Sequence, residues 1–287
     1  MLKIGIVGAE NSHAAAIAKL CNVGKKVDAA VTMLWGETEE FARKAAAEGQ
    51  IPTIVADWKE MAGKVDGIMI DHRHAKYHAE VATYFVKKGI PCFVDKPFTF
   101  TLAEGKKLAA LARRKKVPIT SFSTVPLQQN FHDFKKAAQE LGPLTSLATM
   151  GPADIKSPYG GIFFYGIHQV DTVIETLGPA VQTAQVLRHG ASAIAFLTYK
   201  DGPMVVVHCH QPGRHGFRWM AAGEKEALDW KHQNDADPYL TGLHLFVGMF
   251  MTREEPIPHP RMLAPVAVLE AMAKSLKTGK AVRVAKV

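Results

Sequence analysis

Residues 2–13 read LKIGIVGAENSH, an apolar run that stops at Gly8 and is followed at Ser12 by a residue suited to cap a helix. Leu2 to Val7 is rich in strand formers, and a helix is predicted behind Ser12 over Ala14 to Cys21. The same strand-then-helix unit recurs down the next hundred residues. Val27–Leu34, Thr53–Ala56, Val65–Ile70, Ile90–Val94 and Val117–Phe122 read as strands. Glu37–Glu48, Trp58–Ala62, His74–Lys88 and Leu102–Lys115 read as the helices between them. Repeated βα units predict a parallel sheet covered on both faces. Right-handed crossovers make it a doubly wound, Rossmann-type dinucleotide-binding domain over residues 1–122.

Beyond residue 122 the rhythm changes. Helices are predicted at Gln129–Leu141 and His168–Leu177, each closed by a Gly-Pro pair, and a strand at Thr145–Met150. Strand patterns then follow one another at Gln182–Arg188, Ala193–Tyr199, Met204–Cys209, Phe217–Ala222 and Glu226–Lys231, and Lys200-Asp201-Gly202-Pro203 is a hairpin signal. Late helices are predicted at Tyr239–Met251 and Leu263–Lys277. Residues 123–287 are therefore expected to form an α+β domain with a large open, mainly antiparallel sheet, for substrate binding and oligomerisation. The last helix is free to pack back on the first domain. Apolar Val205, Val207 and Phe196 are assigned to the open sheet face, where an exposed apolar surface calls for a second subunit. A homodimer or homotetramer is expected.

The 287 residues are 47% hydrophobic and 22% charged, which is enough apolar material for proper cores. The net charge is +8, but the basic residues are scattered, which argues against nucleic acid and for attraction of small anions. The densest run, Arg113-Arg114-Lys115-Lys116, ends a predicted helix, where cations are favoured. Cys21, Cys92 and Cys209 are odd in number and far apart, which fits a reducing compartment. No apolar run approaches the ~18 residues of a membrane span, so no membrane partner is expected and the cytoplasm is the default location.

Phe93–Thr99 reads FVDKPFT. Ligands of a doubly wound sheet lie beyond the C-terminal strand ends, and there Lys96 is set to reach a cofactor crevice while Pro97 stops the strand. This motif, with GIVGAENSH near the start, GIHQVDTVIETLGP in the second half and SLKTGKAVRV at the end, resembles the Gfo/Idh/MocA family. Its namesakes are glucose-fructose oxidoreductase, inositol dehydrogenase and a rhizopine-catabolism oxidoreductase. The family's Glu-Lys-Pro is matched by Asp95-Lys96-Pro97, its histidine after the fourth strand by His78, and its His and Asp three apart by His168 and Asp171.

The resemblance implies an NAD- or NADP-dependent oxidoreductase acting on a hydroxyl of a sugar, sugar acid or cyclitol. His168 would be the general base. Lys96 would hold the reacting oxygen and share its proton, and Asp171 would orient the substrate or the imidazole. Cofactor contacts are assigned to Gly8, Asn11, Ser12, His13, Asp71, His72, His78, Asp95, Lys96 and Pro97, and substrate contacts to Tyr165, His210 and Arg214. Two other functions share this frame: redox-neutral glycoside cleavage through a transient keto-sugar, and a non-catalytic sugar or nucleotide sensor.

The sequence also departs from the pattern. Of the fingerprint G-x-G-x-x-G only Gly8 is kept, with Glu10 and His13 at the other two glycine positions. Met33, Leu34 and Trp35 stand where the second strand should end in a ribose-binding acid, and Glu37 lies further on, so the choice between NAD and NADP is not readable. The loop after the fourth strand is Asp71-His72-Arg73-His74. The histidines at 72, 74 and 78, and the pair His208 and His210 taken with His168, suggest a metal. Polar lining of a cleft accounts for them as well, and no metal is assigned.

Overall fold

Glycines and prolines divide the apolar runs where the strands stop. The computed structural model describes residues 1–211 and 216–287. The strands are β1 Leu2–Val7, β2 Ala29–Trp35, β3 Thr53–Ile54, β4 Gly67–Ile70, β5 Cys92–Val94, β6 Ile119–Thr120, β7 Leu144–Pro152, β8 Thr183–His189, β9 Ser192–Thr198, β10 Met204–His210, β11 Arg218–Gly223, β12 Ala227–Lys231 and β13 Val282–Arg283. The helices are α1 Ser12–Ala18, α2 Glu39–Gly49, α3 His78–Lys87, α4 Leu102–Lys115, α5 Gln129–Glu140, α6 Ile162–Leu177, α7 Leu240–Thr252 and α8 His259–Thr278.

The chain forms two units: Met1–Phe122 with Tyr239–Met262, and Ser123–Pro238 with Leu263–Val287. This differs from a division at residue 122 alone, because α7 belongs to the first unit. Its Phe246 stacks on Phe93 of β5 at 4.5 Å. Its Phe250 lies over Gly67 so closely that a Cβ there would sit 2.3 Å from the ring. A glycine on β4 thus makes room for an aromatic from α7.

In the first unit the sheet order is β3-β2-β1-β4-β5-β6, and every pair is parallel. Helix α1 packs with α2, and α3 with α4. The order reverses between β1 and β4, the switch point at which such sheets bind ligands. The ladder runs one residue past each strand: Gly8 donates to Trp35 O at 2.9 Å, Asp71 to Val7 O at 2.8 Å and Asp95 to Ile70 O at 2.8 Å. Gly8, Asp71 and Asp95 are thereby set side by side.

Gly8 has φ +113°, and a Cβ there would lie 2.7 Å from the carbonyl carbon of Asp71 and from the amide of His72. Only glycine lets the two loops meet. The helix behind it starts earlier than expected. Asn11 holds the cap position and Ser12 is the first helical residue, exposed and not a cap.

In the second unit the sheet order is β12-β11-β7-β10-β9-β8-β13, and only β7 and β10 run parallel. Helix α6 covers one face, where Gln169 Nε2 donates to Gly151 O at 3.1 Å. Val205 and Val207 lie on this covered face and are buried, which corrects their assignment to the open face. The alternation of β10 is shifted by one: Val206 pairs with Phe196, and Phe196, Ile194, Leu187, Met204 and Met220 are the exposed apolar residues. Helix α6 begins at Ile162, six residues before the expected start, behind Gly160 and Gly161 with φ of +100° and +60°. Helix α8 begins at His259, because Pro260 stands in the first turn, where its missing N–H costs nothing.

Replacing Gly8 by alanine should lower the urea midpoint by an amount worth about 1–3 kcal/mol, from positive φ and the clash with residues 71–72. An equilibrium urea titration checks this, and an unchanged midpoint would show that the loops can part freely.

Candidate functional site

Asn11, His13, Asp71, Asp95 and Lys96 come together where β1, β4 and β5 end. Asn11 Nδ2 donates to Asp71 Oδ1 at 3.0 Å and to Asp95 Oδ2 at 3.1 Å. His13 Nδ1 lies 3.2 Å from Asp95 Oδ1, and Lys96 Nζ lies 3.2 Å from Asp95 Oδ2. Asp71, Asp95 and Lys96 are buried, and the His13 side chain is 15% exposed.

The two carboxyls are driven apart. Burial first, then the charge of Asp95, raises Asp71 well above the ordinary carboxylate range, and its Oδ2 has no hydrogen-bond partner. Burial also acts to raise Asp95, but Lys96 and His13 outweigh it and hold that carboxyl well below the usual range. Asp71 is the protonated member and Asp95 the charged one.

Ligand atoms of His13, Asp71 and Asp95 lie within 4.8 Å of one another, a spacing that suits a divalent ion. The Asn11 amide nitrogen fills the space between them, at 3.0, 3.1 and 3.3 Å from Asp71 Oδ1, Asp95 Oδ2 and His13 Nδ1. A donor already occupies the place an ion would take.

The glycine-turn loop is closed by an acid. Ala9 and Glu10 amides donate to Glu37 Oε2 at 2.8 and 2.9 Å. Glu37 therefore reaches the loop despite lying two residues past β2, and its Oε1 is buried without a partner. Glu10, which stands at a glycine position, turns its carboxylate toward Arg73 at 3.8 Å. His13 packs against the Tyr239 ring at 4.9 Å. Beyond β2 and β3 lies a cavity of about 500 Å³ lined by Trp35, Gly36, Thr38, Arg43, Val55 and Ala56 among others. An orphaned carboxylate oxygen and an open groove beside the glycine turn fit the adenosine half of a dinucleotide.

His78 does not line this groove. It is fully buried, with Nε2 2.9 Å from His72 O and Nδ1 3.0 Å from Pro97 O. Burial favours its neutral form, against the pull of the two carbonyls and Asp95. His78 sits between the loops that carry Asp71 and Lys96, where its single ring N–H donates to one of the two carbonyls. Burial, with help from His78, pushes His72 down to about 3, so its ring stays neutral. The Pro97 carbonyl lies against His78, and the Lys96–Pro97 peptide is cis.

In the second unit, His168 and Asp171 lie on α6, both buried. Ser123 joins them: its Oγ is 2.8 Å from His168 Nδ1, and its amide donates to Asp171 Oδ2 at 3.2 Å. Asp171 thus acts on the imidazole through Ser123. The Tyr165 ring is 5.5 Å from that of His168. His210 is not with them. It follows His208 on the face of β10 opposite α6, beside a cavity of about 330 Å³ lined by Met150, Leu187 and Ile194 among others. The pair His208 and His210 therefore cannot complete a metal site with His168. Arg214 lies outside the described residues.

Glu37 is visible in the sequence but lies too far past the strand to be assigned, and Ser123 is not singled out. The acid was sought at the strand end, not two residues beyond it, and a lone serine carries no pattern.

A doubly wound sheet whose glycine turn holds an acid on its amides is a dinucleotide-binding domain. Residues 2–122 match the GFO_IDH_MocA model, an oxidoreductase family with an NAD-binding Rossmann fold, and over these residues the chain is similar to that family. The uncharacterized oxidoreductase YhhX of Escherichia coli (strain K12) is 29% identical over 170 residues, 54% of this chain and 49% of that protein. The match thus spans about half the length of that relative. Among solved structures, apo scyllo-inositol dehydrogenase from Lactobacillus casei is similar at TM-score 0.87 and 13% identity, covering 99% of this chain and 98% of that one. The myo-inositol dehydrogenase of the same organism, in complex with NAD(H) and myo-inositol, is similar at TM-score 0.85 and 17% identity, covering 100% and 98%. At these identities the likeness establishes the fold of the whole chain. Among the described residues no helix is long and apolar enough to cross a membrane.

Asp71 takes up a proton on folding at pH above its ordinary value of 3.8, so its contribution to stability falls as pH rises through that window. Asp71→Asn keeps the neutral shape and removes this loss. Its thermal midpoint should exceed that of the wild type at pH 8, and the gap should shrink toward pH 4. Thermal melts across that range check it, and a gap that widens toward acid would reverse the assignment of the proton.

Proposed function

We propose that this protein is an NAD-dependent oxidoreductase that moves a hydride between the cofactor and a hydroxyl-bearing carbon of a cyclitol, sugar or sugar acid. The observation that carries it is Lys96, a nearly buried cation held on Asp95 at the C-terminal edge of the parallel sheet. Buried lysines are rare unless a site needs the charge. When bound, the cofactor supplies the hydride acceptor. In this reading Lys96 holds the reacting oxygen, stabilises charge developing on it and shares its proton. His168, fixed by Ser123, is the general base, and Asp171 sets Ser123. Tyr165, close to the imidazole, contributes to the substrate pocket.

Glu37 supports NAD over NADP. Its free Oε1 would accept a ribose hydroxyl, and a 2′-phosphate beside the carboxylate would be repelled. The exposed apolar face with Phe196, Ile194 and Met204 supports a homo-oligomer. The three free, buried cysteines support a reducing, cytoplasmic setting.

Calorimetric titration with NAD and with NADP, followed by a panel of cyclitols, sugars and sugar acids monitored by NADH absorbance, tests the proposal. Tighter binding of NAD and turnover of a polyol are expected, and failure to bind either nucleotide would refute it. Lys96→Ala and His168→Ala should each lower turnover on the order of a hundredfold or more, with folding retained by circular dichroism. Glu37→Ala should weaken NAD binding about tenfold and narrow its advantage over NADP. An unchanged NAD to NADP ratio would remove Glu37 from cofactor selection.

A further inference from the structure

The hydrogens of the Asn11–Asp95 cluster can be counted. The Asn11 amide has two, and both are spent, on Asp71 Oδ1 and Asp95 Oδ2. None remains for His13 Nδ1, which lies 3.2 Å from Asp95 Oδ1. A carboxylate oxygen only accepts, so His13 Nδ1 must carry the hydrogen of that contact. Asp95 then accepts from His13 on one oxygen and from Lys96 and Asn11 on the other. The result is a continuous chain from the Lys96 ammonium, through one buried carboxylate, to a histidine whose side chain is 15% exposed. His13 stands where the family pattern has a glycine, so this end of the chain is peculiar to the sequence in hand.

We propose that His13 is a positioning residue that relays protons to Lys96 through Asp95, so that Lys96 regains a proton without the site opening to water. This rests on the reading of Lys96 given above. In the direction of carbonyl reduction, the alkoxide takes a proton from Lys96. His13 Nε2 takes a proton from water as its Nδ1 hydrogen moves to Asp95 Oδ1, and the carboxyl then turns to hand that hydrogen to the lysine amine, which returns Asp95 to its ionised form. One proton enters, no electrons move along the chain, and the ring is left as the other tautomer, ready to run the path outward. Every element packed around His13 presents its charged or polar group to this chain. Asn11 lies at the start of α1, Asp71 follows β4, Asp95 and Lys96 follow β5, and the Tyr239 ring precedes α7. Glu37 acts on Asp71, and His78 on Asp95.

The test uses the full chain with histidine ring nitrogens labelled for NMR, alongside turnover on whichever polyol the panel finds. A hydrogen-bonded His13 Nδ1–H resonance is expected downfield in the protein without cofactor, and it should vanish in His13→Gln and move upfield in Asp95→Asn. Turnover of His13→Gly should fall on the order of a hundredfold and recover as free imidazole is added, while His13→Gln falls equally and is not rescued, its side chain filling the space. Loss without imidazole rescue, or no Nδ1–H resonance, overturns the relay and leaves His13 a packing residue. Wild-type turnover by Lys96→Ala overturns the reading of Lys96 itself and the relay with it. Normal dependence on Lys96 combined with an unrescued His13→Gly overturns the relay alone.

Discussion

One buried carboxylate, that of Asp95, organises the functional end of the first unit. An ionised acid away from water is tolerated only when donors surround it. Here Asn11, His13 and Lys96 meet that need together, from α1 and from β5 itself. Removing any of them leaves charge uncompensated, so the glycine-turn loop and the lysine are held by one requirement. The neighbouring Asp71 survives in the same space because it gives up its charge.

The second unit also relies on a buried acid. Asp171 holds the Ser123 amide, and the Ser123 hydroxyl meets His168. In the first unit Asp95 meets Lys96 directly, and in the second the acid acts on the imidazole at one remove, through Ser123. Such an arrangement fixes orientation without placing a second full charge next to the reacting group.

The parallel sheet was legible in the sequence because each strand is an apolar run cut by Gly, Asp or Pro, and buried strands read so. The second sheet was legible as a series of strands, but the facing of β10 was not. In MVVVHCH three consecutive valines give no alternation, and the phase comes from pairing with β7 and β9. The start of α6 was hidden because Gly160 and Gly161 look like loop, whereas both take the left-handed backbone just before the first turn. Lys96, His168 and Asp171 were legible as motifs. The partners of the functional loops were not, since Glu37 meets the glycine turn and Ser123 meets His168 and Asp171 only when the chain folds back across 27 or more residues. The erosion of the glycine fingerprint was visible, but the bonds that Glu37 and Asn11 make around that turn are a matter of three dimensions.

The place of His78 between two loops has a consequence for both. A single rigid ring spans the carbonyls of residues 72 and 97, the one next to the glycine turn and the other next to Lys96. The ring has one hydrogen to give, so it bonds one carbonyl and packs against the other, and the segment after β4, where Trp35 and Tyr77 flank His72, shares this buried neighbour with the turn that carries Lys96.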